Sequence, residues 1–431
     1  MTQPMRRLLV GRTCAALATA LIPTTLTLAL LRGHAAGSTG SAGDLGLVLA
    51  CELLPMLVLL PFAGVLADRF PPQRVVLAAD LLRGAAQITI GAELLCGLVR
   101  VPDLAVLAAV TGAAVAFGTP AVRTLVAATV DADQRLRLNS RLDVATGLAQ
   151  TAGPATAGGM MLMLGAGWSS LLTGALFIGS ATTLGGLHTS RRDTRPADGG
   201  HAGFRAQLRE GWTETRRHRW FLTNVLGHGV WHLAAGFLLT LGPLIAVRSM
   251  GGDGAWVLVA QLGTVGMLVG AFAAGRLPMR RPLVGVAVGA AVFALPLAAF
   301  GLGLALPWAA SAYFLAMFGL GVLNPLWETA IQHRIPQEVL GRVGSFDALI
   351  SFAARPLGLA VAVPVATLLG TSAPLLAGAV LVAAANLAVL LLPETWEHPE
   401  PVTAQRDARR EPVAAAGQGQ SEAGSRTADG R

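Results

Sequence analysis

The chain has 431 residues, 53% of them hydrophobic and only 13% charged, with a formal net charge of +8. Soluble domains carry about 25% charged residues, so this composition points to an integral membrane protein. All 32 basic residues are arginine, which excludes the lysine of a Walker A loop and that of a Schiff-base enzyme.

The basic start, with Arg6 and Arg7, and the apolar run that follows look like a signal peptide. However, the run from Cys14 to Leu31 exceeds the roughly 7–15 residues of a signal h-region, so we read it as a retained first span. Cys14, Cys51 and Cys96 each lie inside an apolar run without metal-ligand or disulfide spacing. They are expected to be small buried hydrophobes, with no metal and no cofactor. With about 20 apolar residues per crossing, spans fall at 10–32, 45–66, 76–99, 103–129, 139–164, 168–188, 220–247, 255–275, 282–307, 308–332, 344–369 and 373–392. This predicts an all-α membrane protein of twelve transmembrane helices.

An even count puts both termini on one side, and arginine placement says which. The N-terminus and the even-numbered connections hold 21 arginines, the opposite connections only Arg32, Arg100 and Arg248. Both termini are therefore expected in the cytoplasm of a multi-pass plasma-membrane protein. The same spread argues against nucleic acid as a partner, because the charge marks topology and forms no patch. The linker 189–219 spaces Phe204, Leu208 and Trp212 by four among Arg205, Arg209, Arg216 and Arg217. That pattern suits a helix on the anionic inner leaflet or an ordinary solvated linker helix. The tail 393–431 has the composition of a disordered segment.

The chain repeats itself. "ADRFPPQRVVL" at Ala67–Leu77 aligns with "AGRLPMRRPLV" at Ala274–Val284 at an offset of 207. Pro120 and Pro325 follow at 205, Asp143 and Asp347 at 204, Pro154 and Pro356 at 202. Two homologous six-helix bundles are expected, 1–188 and 220–392, with a substrate site between them.

The stretch Gly64–Arg74 resembles motif A of the major facilitator superfamily. Gly64, Leu66, Ala67, Asp68, Arg69 and Arg74 carry the match, and Pro71 and Pro72 replace the second glycine and the arginine after it. "NPLWETAIQHRIPQEVLGRVGSFDAL" and "GPATAGG" look like the branch that contains proton-coupled drug and macrolide exporters. Gly153, Pro154 and Gly158 loosely resemble its helix-kinking antiporter motif, while the arginine motif of span four is absent. The resemblance implies that Asp68 docks at the N-terminus of span eleven near Gly341 to Gly344, where a carboxylate meets unpaired N–H groups and the positive end of the helix dipole. Gly64, Asp68, Arg69 and Arg74 would then form a conformational latch, with a simple topology anchor as the competing reading.

Charges inside a membrane mark function or pairing. Arg123 and Glu328 occupy matching positions in the two halves, and we expect an inner gate pair or separate pairing within each half. Glu52 and Arg355 lie on spans two and eleven; they pair across the outer side, or Arg355 bonds carbonyls near Pro356 while Glu52 faces outer water. Asp80 and Arg83, one turn apart, read as a local ion pair. His228 and His232 share a face of span seven, as substrate contacts or packing groups. Phe237, Tyr313, Phe318 and Trp327 are further candidates for the cavity. In the resembled fold the walls come from spans one, four, seven and ten, which are apolar here. The expected function is proton-driven export of an amphiphilic or hydrophobic small molecule by alternating access in the lipid bilayer, by a monomer that is not an enzyme. A metabolite importer and a non-transporting receptor or scaffold remain the alternatives.

Overall fold

A segment inside hydrocarbon must satisfy its own backbone groups, so each apolar run forms a helix. The computed structural model describes residues 2–35, 42–98, 100–185, 204–276 and 281–396. In chain order the helices are α1 (Gln3–Ala35), α2 (Ala42–Arg69), α3 (Pro72–Cys96), α4 (Val101–Thr129), α5 (Ala132–Met163), α6 (Ala166–Gly185), α7 (Phe204–Arg217), α8 (Arg219–Ser249), α9 (Asp253–Ala274), α10 (Pro282–Ala291), α11 (Ala294–Gly301), α12 (Leu306–Arg334), α13 (Leu340–Leu369) and α14 (Ser372–Leu387). Among the described residues there is no strand. α10 and α11 form one span with a loosened turn, because Val292 and Phe293 keep helical dihedrals. The protein thus has twelve membrane helices in two sets of six, α1–α6 and α8–α14, with α7 between them.

Several helices start before the sequence reading placed them, α1 at Gln3 instead of 10 among them, and two further boundaries bear on the site. α5 starts at Ala132, seven residues before the predicted 139, because Asp133, Arg135 and Arg137 interrupt the apolar Leu136 and Leu138 in its first two turns. α11 stops at Gly301, and Gly303 turns the chain with φ 65° before α12 starts at Leu306. Ten spans are long and apolar enough to cross a membrane on hydropathy alone. The other two are α5, whose charge-free stretch 144–161 is rich in Gly and Thr, and α6, which buries Ser169, Ser170, Thr173 and Ser180 against its neighbours.

The packing repeats as the sequence does. α1 lies on α5 and α6, α2 on α4, and α3 on α4 and α6. Likewise α8 lies on α13 and α14, α9 on α12, and the α10–α11 span on α12 and α14. Large apolar side chains such as Val58, Val106, Val363 and Leu381 remain exposed on the outside, as a lipid-facing surface requires.

Two connecting segments differ from expectation. The face of α7 does not lie free for a membrane surface. Gly211 and Thr215 are buried, the Trp212 ring stands 5.4 Å from that of Phe346, and Glu210 pairs with Arg342 at 2.7 Å. α7 is therefore packed on the start of α13. The tail is ordered as far as Trp396. Glu394 Oε2 accepts the Trp220 N–H at 2.9 Å, Arg334 donates to the Glu394 carbonyl at 2.9 Å, and Thr395 is buried. The free N–H groups at the start of α8 hold this carboxylate. Residues 189–203 and 397–431 lie outside the described residues, as do the side chains of Asp68, Phe204 and Arg205. Cys14 and Cys51 are half-buried, and Cys96 is exposed at the end of α3; the apolar run around it marked a helix, not its buried face.

Candidate functional site

The two halves meet at the end of the bundle that carries the arginine-rich connections, and the contact there is polar. Arg123 near the end of α4 donates from Nε and Nη2 to Glu328 Oε1 of α12, at 2.9 and 2.7 Å. Its Nη2 also lies 2.7 Å from Asp347 Oδ2 of α13, and Nη1 donates to the Gly344 carbonyl at 3.2 Å. Arg135 Nη1 donates to the Gln332 carbonyl at 2.8 Å, and Asn139 donates to Thr329 Oγ1 at 2.9 Å and Gln332 Oε1 at 3.1 Å. Gln337 donates to the Ala127 carbonyl at 3.0 Å, and His333 bonds the Ala132 carbonyl at 2.9 Å. These bonds link α4 and α5 to α12 and α13 and form a seal.

Beside the seal, α2 crosses the start of α13 at Gly64. A Cβ there would stand 2.8 Å from the Arg342 Cα and the Gly341 carbonyl oxygen, and would also strike Ser345 Oγ. Only glycine allows this approach. The crossing recurs in the other pair of helices, where Ser140 Oγ of α5 donates to the Ala271 carbonyl of α9. Ser140 and Ala271 stand 205 and 207 residues from Ser345 and Gly64, the offsets of the repeat. Arg69 and Arg74 are exposed at the end of α2 and the start of α3.

The seal floors a cavity of about 800 Å³ lined by α1, α3, α4, α5 and α12, within the ~300–1,000 Å³ of small-molecule sites. Its wall on α5 runs from Asn139 to Pro154, fifteen residues or about 22 Å of helix. Gly153 lets α5 approach α1 closely there, since a Cβ would meet the Ala20 backbone at 2.9 Å, while Gly158 faces open space. The cavity is more charged than the apolar sequence of spans one and four implied. α3 brings in Asp80 and Arg83, α5 brings Asp143, and α1 brings Arg12. Asp80 and Arg83 do not pair with each other as expected. Asp80 Oδ2 accepts from Ser180 Oγ at 2.7 Å and lies 3.5 Å from Arg12, whereas Arg83 donates to Thr19 Oγ1 at 2.7 Å. Both side chains are buried against α1 and α6, so partners on those helices replace the neighbour one turn away.

Sequence reasoning missed Asp347 and Asp143 as site residues. The repeat relates Arg123 to Glu328 and Asp143 to Asp347. Arg123 therefore meets Glu328 and Asp347 from the other half. The equivalent neighbour of Asp143 is Glu328, an acid where the mirror position has an arginine. Asp143 Oδ2 is accordingly buried without a hydrogen-bond partner. The offset of 204 was the signal that could have found this pair.

The remaining predicted residues lie elsewhere. His228 is buried against Trp327 with ring centroids 4.9 Å apart, and Trp327 stacks on Phe221 at 5.4 Å. His232 lies on Trp231 at 4.5 Å, Tyr313 is buried beside Trp256, and Phe237 and Phe318 are half-buried in the core of the second half. None of these six lines the cavity described above. Glu52 and Arg355 are not brought together. The arginine whose field acts on Glu52 is Arg83 of the same half, while Arg355 stands 5.6 Å from the Trp231 ring with its Nε buried and unpartnered. In this arrangement the halves close at the arginine-rich end, and an ion pair between Glu52 and Arg355 requires closure of the other end.

A family model described as Major Facilitator Superfamily matches residues 8–359. The multidrug efflux pump Tap of Mycobacterium tuberculosis is 30% identical over 382 residues, which cover 83% of this chain and 87% of the pump, and the Mycobacterium bovis pump matches equally. Among solved structures, the Escherichia coli fucose:proton symporter superposes with a TM-score of 0.72 at 14% identity, over 90% of this chain and 98% of that one. A bacterial homologue of the iron transporter ferroportin, in its outward-facing state, gives a TM-score of 0.70 at 15% identity over the same shares. At these identities the two structures speak for the fold alone.

Proposed function

The chain belongs to the major facilitator superfamily of secondary transporters, and from that premise we propose that it exports amphiphilic or hydrophobic small molecules in exchange for protons. The observation that carries the reading is the acidic pair on the cavity floor, where Glu328 holds the seal through Arg123 and Asp143 lies beside it without a partner. A buried, uncompensated carboxylate is costly, and a proton removes that cost. Protons enter the open cavity and reach Asp143 and Glu328. Protonation of Glu328 takes one carboxylate from Arg123 and loosens the seal. The arginine-rich end then opens, the protons leave, and substrate enters from that side. The 30% identical efflux pump supports the direction.

The excess of arginine on one side supports cytoplasmic termini, and membership of a multi-pass transporter family supports residence of the protein in the plasma membrane. It works in the lipid bilayer as a monomer, and as a carrier, not an enzyme. Gly64 with Asp68, Arg69 and Arg74 latches α2 onto the start of α13 when that side is shut, and Gly153, Pro154 and Gly158 let α5 bend along α1. The test is efflux of ethidium from proteoliposomes under an imposed pH gradient. Efflux that follows the gradient and collapses with a protonophore supports the reading; efflux indifferent to the gradient, or absent, overturns it.

A further inference from the structure

The cavity has two unsatisfied poles of opposite sign. Arg83 on α3 is 7% exposed and lines the cavity. Its guanidinium lies 4.0 Å from the Phe177 ring centroid and gives one bond to Thr19, while Nε is buried without a partner. The nearest acid along its own helix, Asp80, is committed to Ser180 and Arg12. The fields of Asp80, the stronger, and of Glu52 on α2 both act on Arg83, but neither acid forms an ion pair with it, and Glu52 is not part of the cavity wall. Opposite in sign stands Asp143 on α5, whose acidic neighbour Glu328 has taken Arg123. Eleven residues separate Arg83 from the start of α3 and Asp143 from the start of α5, so both lie about 16 Å in from the arginine-rich end.

At one depth stand a buried guanidinium with no ion pair and a half-buried carboxylate with no cation beside it, and an incompletely paired charge away from bulk water is costly. They do not meet each other. The cavity wall also includes small residues, among them Ala15, Ala79, Ala114 and Gly118, and its volume of about 800 Å³ leaves room for a drug-sized ring system. We propose that the cavity is a two-pole site selective for zwitterionic amphiphiles, in which Arg83 receives a carboxylate and Asp143 an ammonium group. The proposal rests on the export reading for its setting and names the substrate class of that same cavity. A bound ammonium group and a proton then compete for Asp143, so arrival of the proton releases the substrate. Arg83 discriminates between substrates, since a purely cationic ligand leaves it unpaired.

The test uses the full-length protein in nanodiscs and three fluorescent probes. Norfloxacin carries an ammonium and a carboxylate, its methyl ester only the ammonium, and its N-acetyl derivative only the carboxylate. The wild-type protein is expected to bind norfloxacin at least tenfold more tightly than either derivative. Arg83→Gln should lower the ratio of norfloxacin to ester affinity at least tenfold, and Arg83→Lys should restore part of it. Asp143→Asn should remove the preference for norfloxacin over the N-acetyl derivative. Equal binding of norfloxacin and ester by the wild type, binding of none of the three, or an Arg83→Gln effect equal on both overturns the proposal. The wild-type comparison decides the matter even where a variant fails to fold. Gradient-driven efflux of the ester, measured alongside, shows whether the export reading stands when this one falls.

Discussion

Exchanging the charges of Arg123 and Glu328 should fail to rebuild the seal, because the seal is a three-residue device. Arg123 touches two carboxylates, Glu328 at 2.7 Å and Asp347 at 2.7 Å. Removing one partner from a buried ion pair costs about 3–5 kcal/mol. Glu328 is 28% exposed toward the cavity, so we take the lower end, about 3 kcal/mol, for Arg123→Glu acting on the closed arrangement. That corresponds to roughly a hundredfold in the ratio of closed to open. The swap Arg123→Glu with Glu328→Arg restores one attraction. It also sets the new carboxylate against Asp347, and like charges in contact are repulsive. Adding Asp347→Asn removes that repulsion. The assay is the distance between spin labels at R137C of α5 and R276C just past the end of α9, both exposed at the arginine-rich end, in a chain with Cys14, Cys51 and Cys96 replaced. The closed fraction should fall in the order wild type, triple variant, swap, single variants. Full recovery in the swap alone would show that Asp347 takes no part, and a wild-type distribution in Arg123→Glu would show that something else shuts this end.

Other consequences follow from close approaches and caps. Gly64→Ala places a Cβ against the backbone of α13, which cannot rotate away; overpacking of about 1–3 kcal/mol should fall on the closed arrangement, seen as a larger open fraction in the same spin-label assay. Gly153→Val presses α5 on the Ala20 backbone within one half, and should lower the melting temperature in nanodiscs while shifting the spin-label distances less than Gly64→Ala does. Ending the chain after Leu392 instead of Trp396 removes the Glu394 carboxylate from the start of α8 and the Trp396 ring from Arg281, 4.9 Å away. Together these contacts are worth about 1–2 kcal/mol, and the shorter chain should melt lower.

The membrane helices and the repeat were readable because each leaves a one-dimensional trace. Apolar length gave all twelve spans, and the Pro and Asp matches at a drifting offset gave the two halves. The α5 boundary was not readable, since Arg135 looks like a topology marker in sequence but in space bonds the Gln332, Ala127 and Val130 carbonyls. Hydropathy registers only its charge, while the partners that bury it come from α4 and α12. Arg123 and Glu328 were found by symmetry; Asp347, the third member, was not, because a linear sequence does not say which helix faces which. Asp80 and Arg83 mark the same limit: the helical rule of one turn suggested a pair, and Arg12, Ser180 and Thr19 from α1 and α6 won both partners. The aromatic residues of α8 and α12 do not line this cavity, for a related reason. Trp327 and Tyr313 look like ligand platforms in a polar-poor span, yet bulky rings also fill cores, and here they pack against Phe221 and Trp256.

Proton movement tests most directly the carboxylates that join the cavity to the seal. The reconstituted protein, loaded with a pH-sensitive dye and given ethidium with no imposed gradient, should exchange protons against the dye cation, with the internal pH changing in step with ethidium transport. Glu328→Gln should retain ethidium binding and show a smaller proton signal, with Asp143 carrying what remains. Ethidium transport without a pH change in the wild type, or an undiminished proton signal in Glu328→Gln, would contradict the account.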